Sequence, residues 1–393
     1  MENDIKFLRI QNFKSIKDVT LHPRRVNLII GEPNVGKSNL LEAMTLLGGI
    51  TYEQTEKFMG SFIRYEEPRQ LFYDNLVTNT IKVETDKDVA LLFFEKRSKK
   101  LDYFCINKEF YDQLSGAPGL RIVGSLTENK EASIIRRIPR TSNEIGMTQY
   151  EGADIFKIIH AEFDTKAIIA VNGETTVFQY WDGNETPPLA YTFRKGSSIN
   201  QDFPESQLSP PYGTNLIDII QTNIQLRQEI AQMFERYGQK LQLRMDERKL
   251  EIIKDQDGII YSYPYSSVAD TLQRIIFYLA AIESNDDAVL LFEEPEAHSF
   301  PVYVSKLGRR IVESTNNQFF IDTHSPYLIT EILETMLTDD AQAGELAMFA
   351  AYYEDHQTKV HQLSDEEIRS IRADGIDVFY NMKRFTTGAA SNA

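Results

Sequence analysis

The stretch VNLIIGEPNVGKSNLLEAM, Val26 to Met44, decides the fold of this chain. Val26–Ile30 is apolar and rich in β-branched residues, so it predicts a short buried strand. From Asn39 onward the apolar residues follow the helical period, at Leu40, Leu41, Met44 and Leu47. A glycine-rich loop therefore joins a predicted strand to a predicted helix.

The spacing of this loop suits a nucleoside triphosphate. Gly31 and Gly36 bracket backbone N–H groups that can point at phosphate oxygens, and the helix that follows adds the positive end of its dipole. Lys37 supplies a charge for the β- and γ-phosphates, and the Ser38 hydroxyl is placed to bind Mg²⁺. We predict ATP and Mg²⁺ as cofactors, with a loop that consists of Gly31, Glu32, Pro33, Asn34, Val35, Gly36, Lys37, Ser38 and Asn39.

Composition limits the class of protein. The 393 residues are 42% hydrophobic, which is ample for a core, and the single cysteine, Cys105, excludes an intramolecular disulfide. No apolar run approaches transmembrane length, and the first residues do not form a signal peptide. We expect a cytoplasmic protein without membrane contacts.

The net charge of −16 argues against a nucleic-acid-coating protein. Two basic stretches, Lys96–Lys100 and Arg136–Arg140, fit a solvated surface better than a contact to phosphate groups. DNA is therefore an open but not a favoured partner.

The middle of the chain differs from its ends. Thr80–Ile106 predicts a β-meander, and Ala167–Arg194 predicts more strands with hairpin turns at Asn172-Gly173 and Asp182-Gly183. Lys195–Gly213 is typical of a linker or long loop. Thr214–Tyr237 predicts one amphipathic helix, which could form one side of a helical arm.

The C-terminal third alternates between strands and helices. Strands are predicted at Ala288–Phe292 and Gln318–Asp322, with a helix at Val302–Ser314 between them. Short apolar strands separated by helices indicate a mostly parallel sheet with covered faces. The phosphate loop should belong to the same α/β core.

Two of these strands end in polar residues that suit ATP hydrolysis. In AVLLFEEPEAH, Glu293 would face the Mg²⁺ shell, and Glu294 would orient or deprotonate the attacking water. In FFIDTHSPYLI, His324 could sense the γ-phosphate, although a histidine at a strand end can also be an ordinary loop residue.

A third motif, YSSVADTLQRIIFYLAAIES, places Ser266 and Ser267 before a long apolar helix. Hydroxyls at a helix N-terminus can bind an anion. The subunit's own γ-phosphate is held by its phosphate loop, so the natural partner is the γ-phosphate of a second subunit. The alternative is a plain N-capped core helix.

The order of these motifs resembles the ABC-type ATPase heads of the SMC, RecF and OLD (overcoming-lysogenisation-defect) families. The opening LRIQNFKSIKDVTL, with Asn12-Phe13-Lys14-Ser15, is similar to their N-terminal strand and turn. The resemblance implies ATP sandwiched between two heads, with Gly31–Asn39, Glu293 and Glu294 acting from one subunit and Ser266 and Ser267 from the other.

Several features depart from those families. The signature differs from Leu-Ser-Gly-Gly-Gln, the metal-side acid is Glu293 where Asp is usual, and Gln70 is a poor match for the loop glutamine that bridges Mg²⁺. Only 69 residues follow His324, too few for the Toprim nuclease domain of many OLD-type proteins. The chain thus resembles stand-alone ATPases of anti-phage systems such as the PARIS type, whose nuclease effector is a separate protein.

We therefore predict an ABC-type α/β ATPase head with a mixed sheet and an inserted β-rich and helical lobe. The head would comprise residues 1–60 and 255–393, joined by the meander of 61–125, and the lobe 126–254. The function expected is a slow ATPase that self-associates around ATP and controls a partner, in anti-phage defence. The alternatives are a RecF-like DNA-repair ATPase and a non-hydrolysing ATP-bound scaffold.

Overall fold

The computed structural model describes residues 1–49, 57–95, 100–109, 111–112, 167–170, 177–180, 186–197, 206–244 and 246–386. Its strands are β1 (Leu8–Phe13), β2 (Ile16–Leu21), β3 (Val26–Gly31), β4 (Ile81–Thr85), β5 (Asp88–Glu95), β6 (Lys100–Asn107), β7 (Ala167–Ala170), β8 (Val177–Tyr180), β9 (Leu189–Tyr191), β10 (Lys240–Arg244), β11 (Lys249–Gln256), β12 (Ile259–Pro264), β13 (Val289–Glu293), β14 (Gln318–Asp322), β15 (Leu346–Glu354) and β16 (Gln357–Gln362). Its helices are α1 (Lys37–Thr45), α2 (Leu216–Thr222), α3 (Ile224–Glu235), α4 (Asp270–Glu283), α5 (Pro301–Glu313), α6 (Pro326–Met336), α7 (Asp340–Ala343), α8 (Asp365–Ala373) and α9 (Met382–Thr386).

The central sheet has the strand order β16-β15-β3-β14-β13-β9. All neighbours in it are parallel except β15 and β16, which form an antiparallel pair. The predicted mixed sheet, and the strands and helices predicted for the C-terminal third, are confirmed. Because parallel strands end at one edge, this order brings the ends of β3, β14 and β13 together.

The central sheet is covered on both faces, which explains why every residue of β3 is buried. Val26, Leu28 and Ile30 join a core formed with α2 to α6. Ile29 points the other way, into a core formed by α1 and the strands β1, β2, β4, β5 and β6. The alternation follows from the two-residue period of a strand.

A second, antiparallel sheet has the order β2-β1-β4-β5-β6-β7-β8. The predicted meander forms β4, β5 and β6, and β7 pairs with β8. The predicted hairpin turns at Asn172-Gly173 and Asp182-Gly183 lie outside the described residues, as do Lys96–Lys99 and Arg136–Arg140.

The predicted helical arm is wrong. Thr214–Tyr237 is two helices, α2 and α3, which meet at Asn223, whose side chain accepts a hydrogen bond from the Leu226 N–H. Their apolar face is buried in the main core and is not extended from it. Amphipathic periodicity predicts a buried face but not which surface covers it.

The boundary predicted for the inserted lobe also differs from the structure at two places. Leu189–Tyr191, assigned to the lobe, is an edge strand of the central sheet. The limit at residue 254 cuts through β11, which pairs with β10 and β12 in a separate three-stranded sheet. The rest of the domain division stays a prediction.

None of the helices in the described ranges combines the length and the apolar composition that crossing a bilayer requires.

Candidate nucleotide site

The predicted phosphate loop connects the end of β3 to the start of α1. Gly36 is the residue before the helix and has a φ of 95°, a left-handed conformation that glycine adopts without strain. The Lys37 side chain folds back over the loop and donates hydrogen bonds to the carbonyls of Gly31, at 3.1 Å, and Glu32, at 3.0 Å. Burial lowers the pKa of Lys37, and nearby carboxylates oppose this shift.

The loop is braced by two hydroxyls from distant parts of the chain. Thr358, on β16, donates to the carbonyl of Val35 at 2.8 Å, and its Oγ1 lies 2.6 Å from Ser15 Oγ. Asn39 donates to the same Ser15 hydroxyl at 2.7 Å. Ser15 belongs to the Asn-Phe-Lys-Ser turn, so this turn supports the loop. No local sequence pattern indicates this role for Thr358.

Two acids from neighbouring strands meet beside Ser38. Glu293 ends β13 and Asp322 ends β14, and the two residues are aligned in the parallel register. The Ser38 hydroxyl donates to Asp322 Oδ2 at 3.1 Å. Burial, reinforced by Glu293 and Glu294 and opposed by Lys37 and Ser38, raises the pKa of Asp322 to about 7. Asp322 was not among the predicted site residues, although it ends an apolar strand just as Glu293 does.

Glu293, the predicted metal-side acid, is engaged in an ion pair. Arg64 contacts it at 2.7 Å and also contacts Glu42 of α1 at 2.8 Å. Glu42 is buried and forms a second ion pair with Lys14. A chain of alternating charges thus joins the N-terminal turn to the end of β13. Gln70 lies elsewhere, where its side chain accepts from the N–H groups of Glu66 and Glu67.

Glu294 and His324, the predicted catalytic pair, face each other. Glu294 Oε1 lies 3.6 Å from His324 Nε2. Glu294 has a φ of 41°, a strained conformation for a residue with a side chain, and its N–H donates to the carbonyl of Asp322 at 2.9 Å. Burial and then Lys37 lower the pKa of His324, so its neutral form is favoured near neutral pH.

Glu296 joins the two loops that carry these residues. Its buried Oε1 accepts hydrogen bonds from the Thr323 hydroxyl, at 2.6 Å, and from the His324 N–H, at 2.9 Å. Burial raises the pKa of Glu296. The contact fixes the backbone of His324 relative to the loop after β13.

Most of the predicted residues line one cavity of about 650 Å³, a size typical of small-molecule sites. Its walls include Pro33, Asn34, Gly36, Lys37, Ser38, Asn39, Glu293, Glu294, Asp322 and His324, together with Lys14, Glu42, Arg64, Arg274, Ala297 and His298. The cavity therefore brings together most of the predicted loop and all of the predicted acids, while Glu32 is exposed beside it and Val35 is buried beneath it.

Ser266 and Ser267 do not line this cavity. They lie in an exposed 3₁₀ turn, Tyr265–Ser267, three residues before α4 begins at Asp270. The α4 N-cap is Ala269, so neither serine caps the helix. The Gln273 side chain holds the turn by donating to the Val268 carbonyl at 2.7 Å.

The polar groups in the cavity fit a magnesium ion. Mg²⁺ prefers oxygen ligands and usually retains several waters, so it needs only one or two protein oxygens. Ser38 and the acids Glu293 and Asp322 supply such oxygens, and Oδ1 of Asp322 is buried without a hydrogen-bond partner among the described residues. The same part of the chain holds no ready-made cluster of three or more His, Cys, Asp or Glu side chains.

The chain matches profiles of known ATPase families and a curated relative. Residues 4–163 match the profile of the family described as "AAA ATPase domain". Residues 132–330 match the profile described as "AAA domain, putative AbiEii toxin, Type IV TA system". A curated relative from Helicobacter pylori, named "ATP/GTP phosphatase", is 22% identical over 367 residues, which are 89% of this chain and 93% of the relative.

Solved structures of SMC heads are similar to the chain at lower identity. An SMC head bound to the C-winged helix domain of ScpA is 15% identical, with 93% of this chain and 99% of that chain covered and a TM-score of 0.44. The SMC head domain from Thermotoga maritima is 12% identical, with 92% and 99% covered and a TM-score of 0.38.

The predicted fold class, an α/β ATPase head built on a mixed sheet, is confirmed. ATPase activity, the predicted reaction, is the activity of the matched domains. Because the second profile covers just over half of the 393 residues, the chain belongs to the family of AAA ATPases that this profile describes.

Proposed function

We propose that the cavity binds ATP with Mg²⁺, that Glu294 activates the attacking water, and that two copies associate around the nucleotide. One observation carries the proposal: Lys37 and Ser38 share a cavity with three strand-end groups, Glu293, Glu294 and His324. This combination supports phosphoryl transfer, which depends on positioning and on stabilisation of charge.

Binding would begin with an exchange of partners at Lys37. Its ammonium group now donates to two loop carbonyls, and it would turn these hydrogen bonds toward the β- and γ-phosphate oxygens. The N–H groups between Gly31 and Ser38 would then receive the phosphates at the N-terminus of α1. Mg²⁺, held by Ser38 and an acid, would neutralise part of the phosphate charge.

Hydrolysis would depend on Glu294 and His324. Glu294 is about half exposed in the cavity, where a carboxylate can orient a water molecule or remove its proton. A neutral His324 can donate a hydrogen bond to the γ-phosphate, and the contact with Glu296 keeps it at that position. The strained backbone of Glu294 supports a positioned role for this residue.

The test of the nucleotide site uses two variants and a control. Lys37→Ala should abolish ATP binding in calorimetry, because it removes the cation of the loop. Glu294→Gln should retain binding, while phosphate release falls by roughly 10²–10⁴-fold, the contribution of a general base. Glu235→Gln, at an exposed site on α3, should change neither. Unchanged ATP affinity in Lys37→Ala would refute the proposed site.

Self-association is proposed because Ser266 and Ser267 are exposed and do not line the cavity of their own subunit. Their hydroxyls would contact the γ-phosphate bound by a second copy. In Glu294→Gln the uncleaved ATP should hold two copies together, which light scattering would detect as an ATP-dependent increase in mass.

Ser267→Arg in that background should reverse the association without reducing ATP binding. Thr338→Arg is the matched control, since Ser267 and Thr338 are both exposed and both donate to the carbonyl three residues earlier, at 2.7 Å. If ATP never changes the mass, or if both arginine variants act alike, the serine turn does not form the contact.

We also infer a role in anti-phage defence, in which the ATPase controls a separate effector such as a nuclease. The support is the resemblance of the motifs to stand-alone defence ATPases and the family description, which names a toxin–antitoxin system. Co-expression with the neighbouring open reading frames should reduce phage plaques, and Lys37→Ala should remove the protection. Equal plaque counts with both forms would contradict this role.

A further inference from the structure

Asp322 has an unusual position for a carboxylate. It is 1% exposed, and its Oδ1 has no hydrogen-bond partner among the described residues, while Oδ2 accepts from Ser38. Buried polar atoms are almost always paired, so an unpaired carboxylate oxygen that faces an open cavity points to a position where a ligand binds. For the ionised carboxylate, this ligand is a hydrogen-bond donor or a cation.

The charges around Asp322 favour a cation. Glu293 and Glu294 both raise the energy of its ionised form, and Lys37 is the basic residue that stabilises it. If Lys37 turns toward phosphate oxygens, as the proposed function requires, Asp322 loses part of that stabilisation. A divalent cation would replace it at the position where the acids meet.

The backbone fixes Asp322 closer to the phosphate loop than Glu293. Strand β14 is directly hydrogen-bonded to β3, whereas β13 is one strand further away. The N–H of Thr323 donates to the carbonyl of Ile29 at 3.2 Å, which locks the end of β14 beside the loop. Asp322 therefore reaches the Ser38 hydroxyl directly.

Glu293 is less available for the metal. Its carboxylate is paired with Arg64 at 2.7 Å, and Arg64 is also held by Glu42. Through Oε1, Glu293 can bind a metal ion only by exchanging this partner, and the positive charge of Arg64 beside it disfavours a second cation. Among the described residues, Asp322 Oδ1 has no hydrogen-bond partner and Oδ2 accepts from the uncharged Ser38 hydroxyl, so Oδ1 can bind a metal ion without an exchange of partners.

We propose that Asp322, together with Ser38, is the carboxylate that holds Mg²⁺ in this ATPase, and that Glu293 is kept away from the metal by Arg64. The inference rests on the proposed nucleotide site and changes the assignment of one residue in it.

The experiment uses Mn²⁺ as a paramagnetic substitute for Mg²⁺ and measures its binding to the full chain by electron paramagnetic resonance, with ADP present. Asp322→Asn should weaken Mn²⁺ binding by about 10–100-fold, the range found when groups that support a metal site are removed. Glu293→Gln, the matched acid-to-amide change on the next strand, should weaken it by less than about threefold. ADP affinity in the presence of a chelator should be retained in both variants.

The outcomes separate the inference from the proposed function. Mn²⁺ binding that is unchanged in Asp322→Asn but lost in Glu293→Gln would overturn the inference and leave the nucleotide site intact. A wild-type chain that binds no ADP would refute the proposed function itself. If Asp322→Asn does not fold, Asp322→Val takes its place, because valine suits a buried strand end. The same weakening of Mn²⁺ binding is expected for this variant.

Discussion

Gly36→Ala tests how tightly the phosphate loop is braced. A Cβ atom at this position would overlap Thr358 Oγ1 and would lie 2.6 Å from Ser15 Oγ. Either the loop or both hydroxyls must move, and the hydrogen bonds from Thr358 to Val35 and from Asn39 to Ser15 would be disturbed. The φ of 95° adds a backbone cost for any residue with a side chain.

The size of the effect follows from a matched control. Gly375 also has a positive φ, of 60°, but an added Cβ there meets no atom within 4 Å. Gly375→Ala should therefore show the backbone cost alone, about 1–2 kcal/mol. Gly36→Ala should lower the free energy of unfolding by about 1–3 kcal/mol more than this, the typical cost of overpacking. It should also abolish ATP binding, because the loop is displaced.

Urea unfolding of the two variants measures these costs, and calorimetry with ATP measures binding. A double-mutant cycle with Thr358→Ala adds a second check, since removing the closest hydroxyl should recover part of the loss in Gly36→Ala. Equal losses of unfolding free energy at Gly36 and Gly375, with no coupling to Thr358, would refute the bracing of the loop by β16.

Three further outcomes are expected. Burial raises the pKa of Asp322 to about 7, so the folded chain keeps a proton that the unfolded chain releases above about pH 4. This group should therefore lower the stability as pH rises toward 7, by up to about 1.4 kcal/mol per pH unit. Urea unfolding of Asp322→Asn should show a smaller loss of stability with pH, and what remains includes the contribution of Glu296, whose pKa is also raised. Ser364→Ala removes the capping box of α8 and should lower the free energy of unfolding by about 1 kcal/mol, and a loss below the error of the measurement would contradict this. Binding to duplex DNA, followed by fluorescence anisotropy, should be weak with a shallow salt dependence, because each neutralised phosphate contributes about −0.9 to the slope and the chain carries a charge of −16; nanomolar, steeply salt-dependent affinity would favour a DNA-repair ATPase.

The sequence by itself determined the local parts of the site. The strand, loop and helix of Val26–Met44 follow from apolar periodicity and two glycines, and they appear as β3 and α1. The capping box at Ser364 and Glu367 is equally local and is present in the structure. Such features depend on residues a few positions apart, and the backbone geometry of one element fixes their relation.

The sequence shows which strands end in an acid, but not which of these acids lies beside the phosphate loop. The sequence places Glu293 and Asp322 at the ends of two apolar strands, and parallel strands bring such ends to one edge. Only the strand order decides that Asp322 lies beside the phosphate loop, and only the tertiary packing brings Arg64 to Glu293. Strand order depends on the packing of the whole chain, so periodicity within one segment does not contain it.

Contacts across long sequence distances were decided by the tertiary structure alone. Thr358 reaches Val35 from 323 positions away, the β9 strand joins the central sheet from a segment predicted to lie in a lobe, and the helices α2 and α3 pack into the core where an arm was predicted. Each apolar face or hydroxyl is visible in the sequence as a group that needs a partner. Which partner it finds depends on which surfaces of the folded sheet remain uncovered. Those surfaces exist only when all the strands and helices have packed together.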